Sequence, residues 1–118
     1  MTEPIKILIV DDDAEVLIAL ERILESEGYS TTTAWSGRDA LTLADRIHFD
    51  LLLVDEYLSD LDATALCEEL LRRQPTALPF LLHARKEGTR KLTSVAHLNI
   101  CKWEHNELKA QIRRCLAA

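Results

Sequence analysis

The hydrophobic residues of this chain fall into short apolar runs, separated by longer stretches in which apolar positions recur at helical spacing. The runs are five or six residues long and aliphatic, as is typical of strands buried in a parallel sheet. The second run is rich in Thr, so we expect it to lie partly exposed at an edge of the sheet. The predicted strands cover residues 5–10, 29–34, 51–55, 78–82 and 96–101.

The stretches between these strands predict amphipathic helices. After Asp13, positions 16, 17, 20, 23 and 24 are apolar, and Gly28 is placed to end that helix. Ser36 is a suitable N-cap for the next one. The predicted helices cover residues 14–27, 37–47, 62–73, 85–94 and 104–116. Five strands alternating with five helices predict a single α/β domain over residues 1–118, with a doubly wound, five-stranded parallel sheet.

Acidic residues follow two of the predicted strands directly. Asp11, Asp12 and Asp13 close the first run, and Asp55 ends the third. Because parallel strands bring their carboxyl ends to one edge of a sheet, we expect at least three carboxylates to meet there. Two such charges about 4 Å apart repel by roughly 4 kcal/mol at an effective dielectric constant of ~20. The cluster therefore requires a divalent cation, a proton or a lysine at neutral pH.

Lys102 follows the fifth predicted strand and is the lysine that the topology would bring to this edge. Hard oxygen ligands suit Mg²⁺, which binds one or two carboxylates together with phosphate and water. A carboxylate at the end of a strand can act as a nucleophile and form an aspartyl-phosphate. The residues thus predict a Mg²⁺-assisted phosphoryl-transfer site in which Lys102 would neutralise charge on the transferring group. Asp13 has a simpler interpretation, as a cap of the first helix.

Composition and net charge argue against several classes of partner and site. The net charge of −6 disfavours direct nucleic-acid binding and anionic membranes. The three cysteines, Cys67, Cys101 and Cys115, are widely spaced, so a zinc site or a disulfide framework is not expected. No apolar stretch approaches the ~20 residues of a membrane helix, and no signal peptide is apparent. We therefore expect a cytoplasmic protein.

Three stretches resemble the receiver domains of two-component response regulators. Residues 7–12 (ILIVDD) are similar to their first strand, residues 50–55 (DLLLVD) to their phosphoacceptor strand, and residues 34–41 (AWSGRDAL) to the entry of their second helix. Lys102 lies where their lysine would be. The resemblance covers essentially the whole chain and implies a flavodoxin-like (βα)5 sandwich. It also implies that Asp55 is phosphorylated by a sensor histidine kinase. Asp12, Asp55 and the backbone carbonyl of Tyr57 would then bind Mg²⁺, with Asp11 in support.

The chain departs from this family at its switch positions. His83 stands where a Thr or Ser is usual, Asn99 where an aromatic residue is usual, and Trp103 replaces the cis proline after the lysine. Residues 59–60 (Ser-Asp) replace the usual Pro-Gly, and the predicted fourth helix is about one turn short. We expect an atypical switch. The surface made by the fourth helix, the fifth strand and the last helix, through which receivers dimerise or contact output partners, would also be unusual.

Two other functions fit some of these features. A receiver fold can be kept purely as a phosphorylation-independent interaction module, which the altered switch residues favour. Asp11-x-Asp13 also resembles the nucleophile motif of haloacid-dehalogenase phosphatases, but Glu15 stands where that motif needs Thr or Val, and the later acidic pair is missing. We therefore expect a regulatory domain rather than an enzyme, with at most slow self-phosphorylation and self-dephosphorylation.

Overall fold

The computed structural model of the protein describes residues 3–83 and 98–117. Five strands and four helices lie in these ranges. The strands are β1 (Lys6–Val10), β2 (Ser30–Ala34), β3 (Leu51–Asp55), β4 (Leu78–His83) and β5 (Leu98–Cys101). The helices are α1 (Ala14–Ser26), α2 (Gly37–Ala44), α3 (Ala63–Arg73) and α4 (His105–Ala117).

The five strands form one parallel sheet in the order β2-β1-β3-β4-β5. This is the flavodoxin-like order, in which the chain winds first to one side of β1 and then to the other. The Thr-rich β2 is an edge strand with half-buried side chains, as predicted. The central strand β3 is buried at all five positions, which explains why its sequence is continuously apolar up to Asp55.

Helices cover both faces of the sheet. Side chains of β1, β3 and β4 alternate between two cores: one packs against α1 and α4, and the other against α2 and α3. The first core contains residues such as Ile9, Leu53 and Leu82. The second contains Val10, Val54 and Leu81. The arrangement leaves the carboxyl edge of the sheet open between the two layers, and this is where the acidic residues lie.

The observed elements agree with the predicted ones to within a few residues. Gly28 has a positive φ of 91°, a backbone conformation that glycine adopts without strain, and it follows α1 as expected. Helix α2 ends at Ala44 rather than at residue 47, so the prediction was too long by three residues. The predicted helix over residues 85–94 and the first two residues of the predicted fifth strand lie outside the described residues.

Gln74 gives the physical reason for the early end of α2. Its Nε2 donates to the carbonyl oxygens of Ala44 at 2.9 Å and Ile47 at 2.5 Å, and its Oε1 accepts from the Phe49 amide at 2.6 Å. The side chain therefore satisfies the Ala44 carbonyl, which the amide of residue 48 would engage if the helix continued, and it holds Ile47 in the connection that follows. Gln74 is buried and ties the α2–β3 connection to the end of α3.

We predict that Gln74→Ala lowers the free energy of unfolding by roughly 2–3 kcal/mol, because it leaves buried backbone groups without partners. Urea unfolding followed by far-UV circular dichroism measures the change. Gln111→Ala is the matched control: its amide bonds only the exposed Glu107, so a loss below about 0.5 kcal/mol is expected. Equal losses in the two variants would contradict the role assigned to Gln74.

Candidate functional site

Three carboxylates meet at the carboxyl edge of the sheet. Asp11 directly follows β1, Asp55 ends β3, and the register pairs Val10 with Val54, which places the two acids on adjacent strand ends. Carboxylate oxygens of Asp11, Asp12 and Asp55 all lie within 4.8 Å of one another. Asp11 and Asp55 are buried, whereas Asp12 is exposed. The convergence expected from the parallel topology is therefore present in the structure.

Lys102 faces into this cluster. It follows β5 directly, and its amide donates to the carbonyl of His83 at 2.9 Å, which fixes the start of its side chain beside the end of β4. The Nζ atom donates to Oδ2 of Asp11 at 3.0 Å and lies 3.5 Å from Oδ1 of Asp55. Only 8% of the residue is exposed. The lysine therefore provides the positive charge that the buried carboxylates require.

The ionisation of Asp55 reflects these competing neighbours. The pKa of Asp55 is raised to about 6, chiefly by burial and in addition by the charge of Asp11. Lys102 and the amide of Tyr57 act in the opposite direction but do not overcome the burial. For Lys102, burial opposes the charge, but the hydrogen bond to Asp11 and the charges of Asp55 and Asp11 outweigh it, and its pKa is raised. The lysine stays protonated while Asp55 titrates closer to neutrality than an ordinary carboxyl.

The oxygen donors of this cluster fit a magnesium ion. Asp11 already has both oxygens engaged, one by the Asp13 amide at 2.9 Å and the other by Lys102. Asp12, by contrast, is exposed at the mouth of the cluster, and Oδ1 of Asp55 has only long contacts among the described residues, with the Tyr57 amide at 3.4 Å and Lys102 Nζ at 3.5 Å. This division suits Asp12 and Asp55 as direct ligands and Asp11 as support, with oxygen donors of the kind that Mg²⁺ prefers.

The loop after β3 borders the site. Residues Glu56–Asp62 line an open hollow beside the acidic cluster. The Tyr57 side chain is 64% exposed, so this residue approaches Asp55 through its backbone rather than through its ring. Asp62 caps α3 by accepting from the Ala65 amide at 3.0 Å, and Asp13 caps α1 in the same way through Glu15. Asp13 thus has the capping role that the sequence suggested for it.

Two of the three predicted switch residues lie at the rim of the site. His83 is the last residue of β4, pairs with Cys101 and is only 6% exposed; its Nδ1 has no hydrogen-bond partner among the described residues. Trp103 is 49% exposed, and no described peptide bond is cis. Asn99 lies in β5 opposite Leu81, one strand from the cluster.

One contact at this edge was not predicted from the sequence. Asp60 accepts hydrogen bonds from two amides of α2, although these lie more than twenty positions away along the chain. The only sequence signal was an acid in a loop that would pass near the start of a helix. Such proximity follows from the packing of α2 beside α3.

The sequence model of the response regulator receiver domain matches residues 7–101, and the chain belongs to this family. It is 37% identical over 82 residues to the alkaline phosphatase synthesis transcriptional regulatory protein PhoP of Bacillus subtilis. That match covers 70% of this chain and 34% of PhoP, so the chain spans about a third of the length of that relative.

Solved structures agree with this assignment. A CheY-like receiver domain protein from Methanospirillum hungatei is 28% identical, with a TM-score of 0.88 over 98% of this chain and 95% of that chain. The response regulator TrrA from Thermotoga maritima, solved in complex with Mg²⁺ and BeF, is 27% identical, with a TM-score of 0.83 over 93% of this chain and 97% of that one. In the described part of the chain, no helix is long and apolar enough to span a bilayer.

The raised pKa of Asp55 predicts a pH-dependent cost in stability. The folded protein binds the Asp55 proton more tightly than the unfolded chain does. Protonated Asp55 therefore adds to the free energy of unfolding below the ordinary pKa of 3.8, and this stabilisation is lost as pH rises through about 6. In Asp55→Asn the side chain does not ionise, so the variant does not lose stability in this way as pH rises. We expect the variant to exceed the wild type in free energy of unfolding by up to roughly 3 kcal/mol above pH 7, and the difference to vanish near pH 4.

Urea unfolding in EDTA across this pH range measures the difference. Asp39→Asn, which removes an exposed acid of α2, is the matched control and should show no comparable trend. A difference between Asp55→Asn and the wild type that does not change with pH would contradict the burial of the Asp55 charge.

Proposed function

We propose that this chain is the phosphoacceptor of a two-component phosphorelay. In this proposal Asp55 accepts a phosphoryl group from a sensor histidine kinase or a phosphotransfer protein. The observation that carries it is the cluster of three carboxylates within 4.8 Å of one another, beside a buried lysine whose Nζ is 3.0 Å from Asp11 and 3.5 Å from Asp55. Membership of the receiver family supports the same assignment.

Asp55 is the nucleophile in this scheme. One of its carboxylate oxygens forms a bond to phosphorus, while the bond between phosphorus and the donor imidazole nitrogen breaks and leaves its electron pair on that nitrogen. With a pKa of about 6, Asp55 is mostly ionised at neutral pH and therefore able to attack. Lys102 contributes a fixed positive charge beside the acceptor, where the phosphoryl oxygens would lie.

Asp12, Asp55 and the backbone carbonyl of Tyr57 would hold Mg²⁺, with Asp11 in support. When bound, the ion supplies positive charge against the phosphoryl oxygens. Asp11 keeps Lys102 in place because it accepts from Nζ with one oxygen and from the Asp13 amide with the other. The protein is regulatory: we expect slow self-phosphorylation from small phosphodonors and slow self-dephosphorylation, and no multiple-turnover hydrolysis.

The switch would operate through different residues from those usual in the family. His83 is buried at the end of β4 with its Nδ1 lacking a described partner, so its ring can donate a hydrogen bond to a phosphoryl oxygen in place of a Thr or Ser hydroxyl. Asn99 and Trp103 would complete this atypical switch. The signal would leave through the face made by the predicted fourth helix, β5 and α4, to an output partner or a second copy of the chain, in the cytoplasm.

A phosphorylation-independent interaction module is the second candidate. The burial of His83 beside the site favours it, since an imidazole occupies more space there than the hydroxyl it replaces and could obstruct a phosphoryl group. The acidic cluster and the inward-facing Lys102 favour phosphorylation, because a docking surface alone needs neither.

Phosphorylation is tested by intact mass spectrometry after incubation with acetyl phosphate and Mg²⁺. We expect the wild type to gain one phosphoryl group, because Asp55 is an ionised carboxylate beside a fixed cation. Asp55→Asn should gain none, whereas Asp39→Asn should behave as the wild type. No gain with acetyl phosphate or with a phosphorylated kinase would overturn the proposal in favour of the interaction module.

Metal binding is tested by titration with Mg²⁺ while thermal unfolding is monitored. Asp12→Asn should weaken Mg²⁺ binding by roughly tenfold or more, because it removes a charged oxygen ligand. Asp13→Asn is the matched control: it removes the neighbouring charge but keeps an N-cap residue for α1. Equal weakening in both variants would point to a general charge effect rather than to coordination by Asp12.

A further inference from the structure

The loop Glu56–Asp62 passes beside the acceptor carboxylate and contains neither proline nor glycine. Nothing in its composition restricts its backbone, so its shape depends on the contacts that it makes. At its start, the Glu56 amide donates to the Leu82 carbonyl at 2.9 Å, and the next amide, that of Tyr57, lies 3.4 Å from Oδ1 of Asp55. The path of this loop therefore sets the position of the Tyr57 backbone beside the acceptor.

Asp60 fastens the middle of the loop to a different helix. Its Oδ1 accepts from the Gly37 amide and its Oδ2 from the Arg38 amide, both at 3.0 Å. These are the first two amides of α2, which no carbonyl within the helix can satisfy. The third, that of Asp39, donates to the Ser36 hydroxyl at 3.1 Å. The start of α2 is thus shared between its own cap and a carboxylate from the β3–α3 loop.

The packing at this junction leaves little freedom. A Cβ atom at Gly37 would lie only 2.7 Å from Cδ1 of Leu61, the residue after Asp60, so the loop rests directly on the first turn of α2. Burial opposes the charge of Asp60, but the hydrogen bonds from Gly37 and Arg38 outweigh it and lower its pKa. The carboxylate is therefore ionised at neutral pH and interacts favourably with the positive end of the helix dipole.

We propose that Asp60 is a positioning residue for the acceptor site: it clamps the β3–α3 loop to α2 and so holds the Tyr57 backbone beside Asp55 in the arrangement that binds Mg²⁺. The inference rests on the proposed function, because it concerns the metal of that site. Asp60 touches neither the acceptor nor the ligands; it acts through the loop. Ser36 caps the same helix end through the Asp39 amide, whereas Asp60 bonds it from the loop, so variants of the two residues separate capping from positioning.

The test is the apparent dissociation constant for Mg²⁺, obtained from shifts of backbone amide resonances around Asp55 during a Mg²⁺ titration. Asp60→Ala should raise it by roughly tenfold, the size of effect seen when groups that orient metal ligands are removed. Ser36→Ala should leave it unchanged, although it also weakens α2. Phosphorylation with acetyl phosphate should likewise require a higher Mg²⁺ concentration in Asp60→Ala than in the wild type or in Ser36→Ala.

Asp60→Asn serves if Asp60→Ala does not fold. Its amide keeps the size of the side chain and one accepting oxygen, so an intermediate rise in the dissociation constant is expected. Hydrogen exchange at Gly37 and Arg38 should quicken in step with the loss of affinity. Unchanged Mg²⁺ affinity in folded Asp60 variants would overturn this inference alone. A wild-type protein that shows no Mg²⁺ response would overturn it together with the proposed metal site.

Discussion

The structure depends on the balance of charge at the carboxyl edge of the sheet. Parallel strands β1 and β3 end in carboxylates that the fold buries side by side, and the repulsion between such groups amounts to several kcal/mol. Lys102, brought in from the end of β5, offsets part of this cost through its contacts with Asp11 and Asp55. The compensation is incomplete, because the pKa of Asp55 remains raised to about 6. The negative charge that remains favours a further cation, and the oxygen donors of the cluster suit Mg²⁺.

The three consecutive acids Asp11, Asp12 and Asp13 lie in different environments. Asp11 is fully buried, and its two oxygens accept hydrogen bonds from Lys102 and the Asp13 amide. Asp12 is exposed to solvent, and Asp13 caps α1. Three consecutive residues of the same type thus have three different environments, because the chain turns from strand to helix within them. The charge of the triplet alone does not distinguish these roles.

The surroundings of the site differ from those usual in receiver domains more than the acidic centre does. By resemblance to receiver domains, His83 and Trp103 stand where a Thr or Ser and a cis proline are expected, and Ser59-Asp60 stand where Pro-Gly is expected. In this chain the loop is held by a carboxylate on the start of α2, and a buried imidazole stands at the end of β4. The carboxylates and Lys102 thus form one set of contacts, and Asp60 with the start of α2 forms another.

The order of the elements, the parallel sheet and the acids at the strand ends can be predicted from the sequence, because apolar periodicity and strand-end position are local properties of the chain. It also placed Lys102 after the last strand, which topology alone carries to the same edge. Packing between distant elements gives the hydrogen bond from Lys102 to Asp11, the bond from Gln74 to the Ala44 carbonyl, and the bond from the Gly37 amide to Asp60. These contacts join residues from 23 to 91 positions apart, and they arise from side-chain packing between elements, which leaves no periodic trace in the sequence.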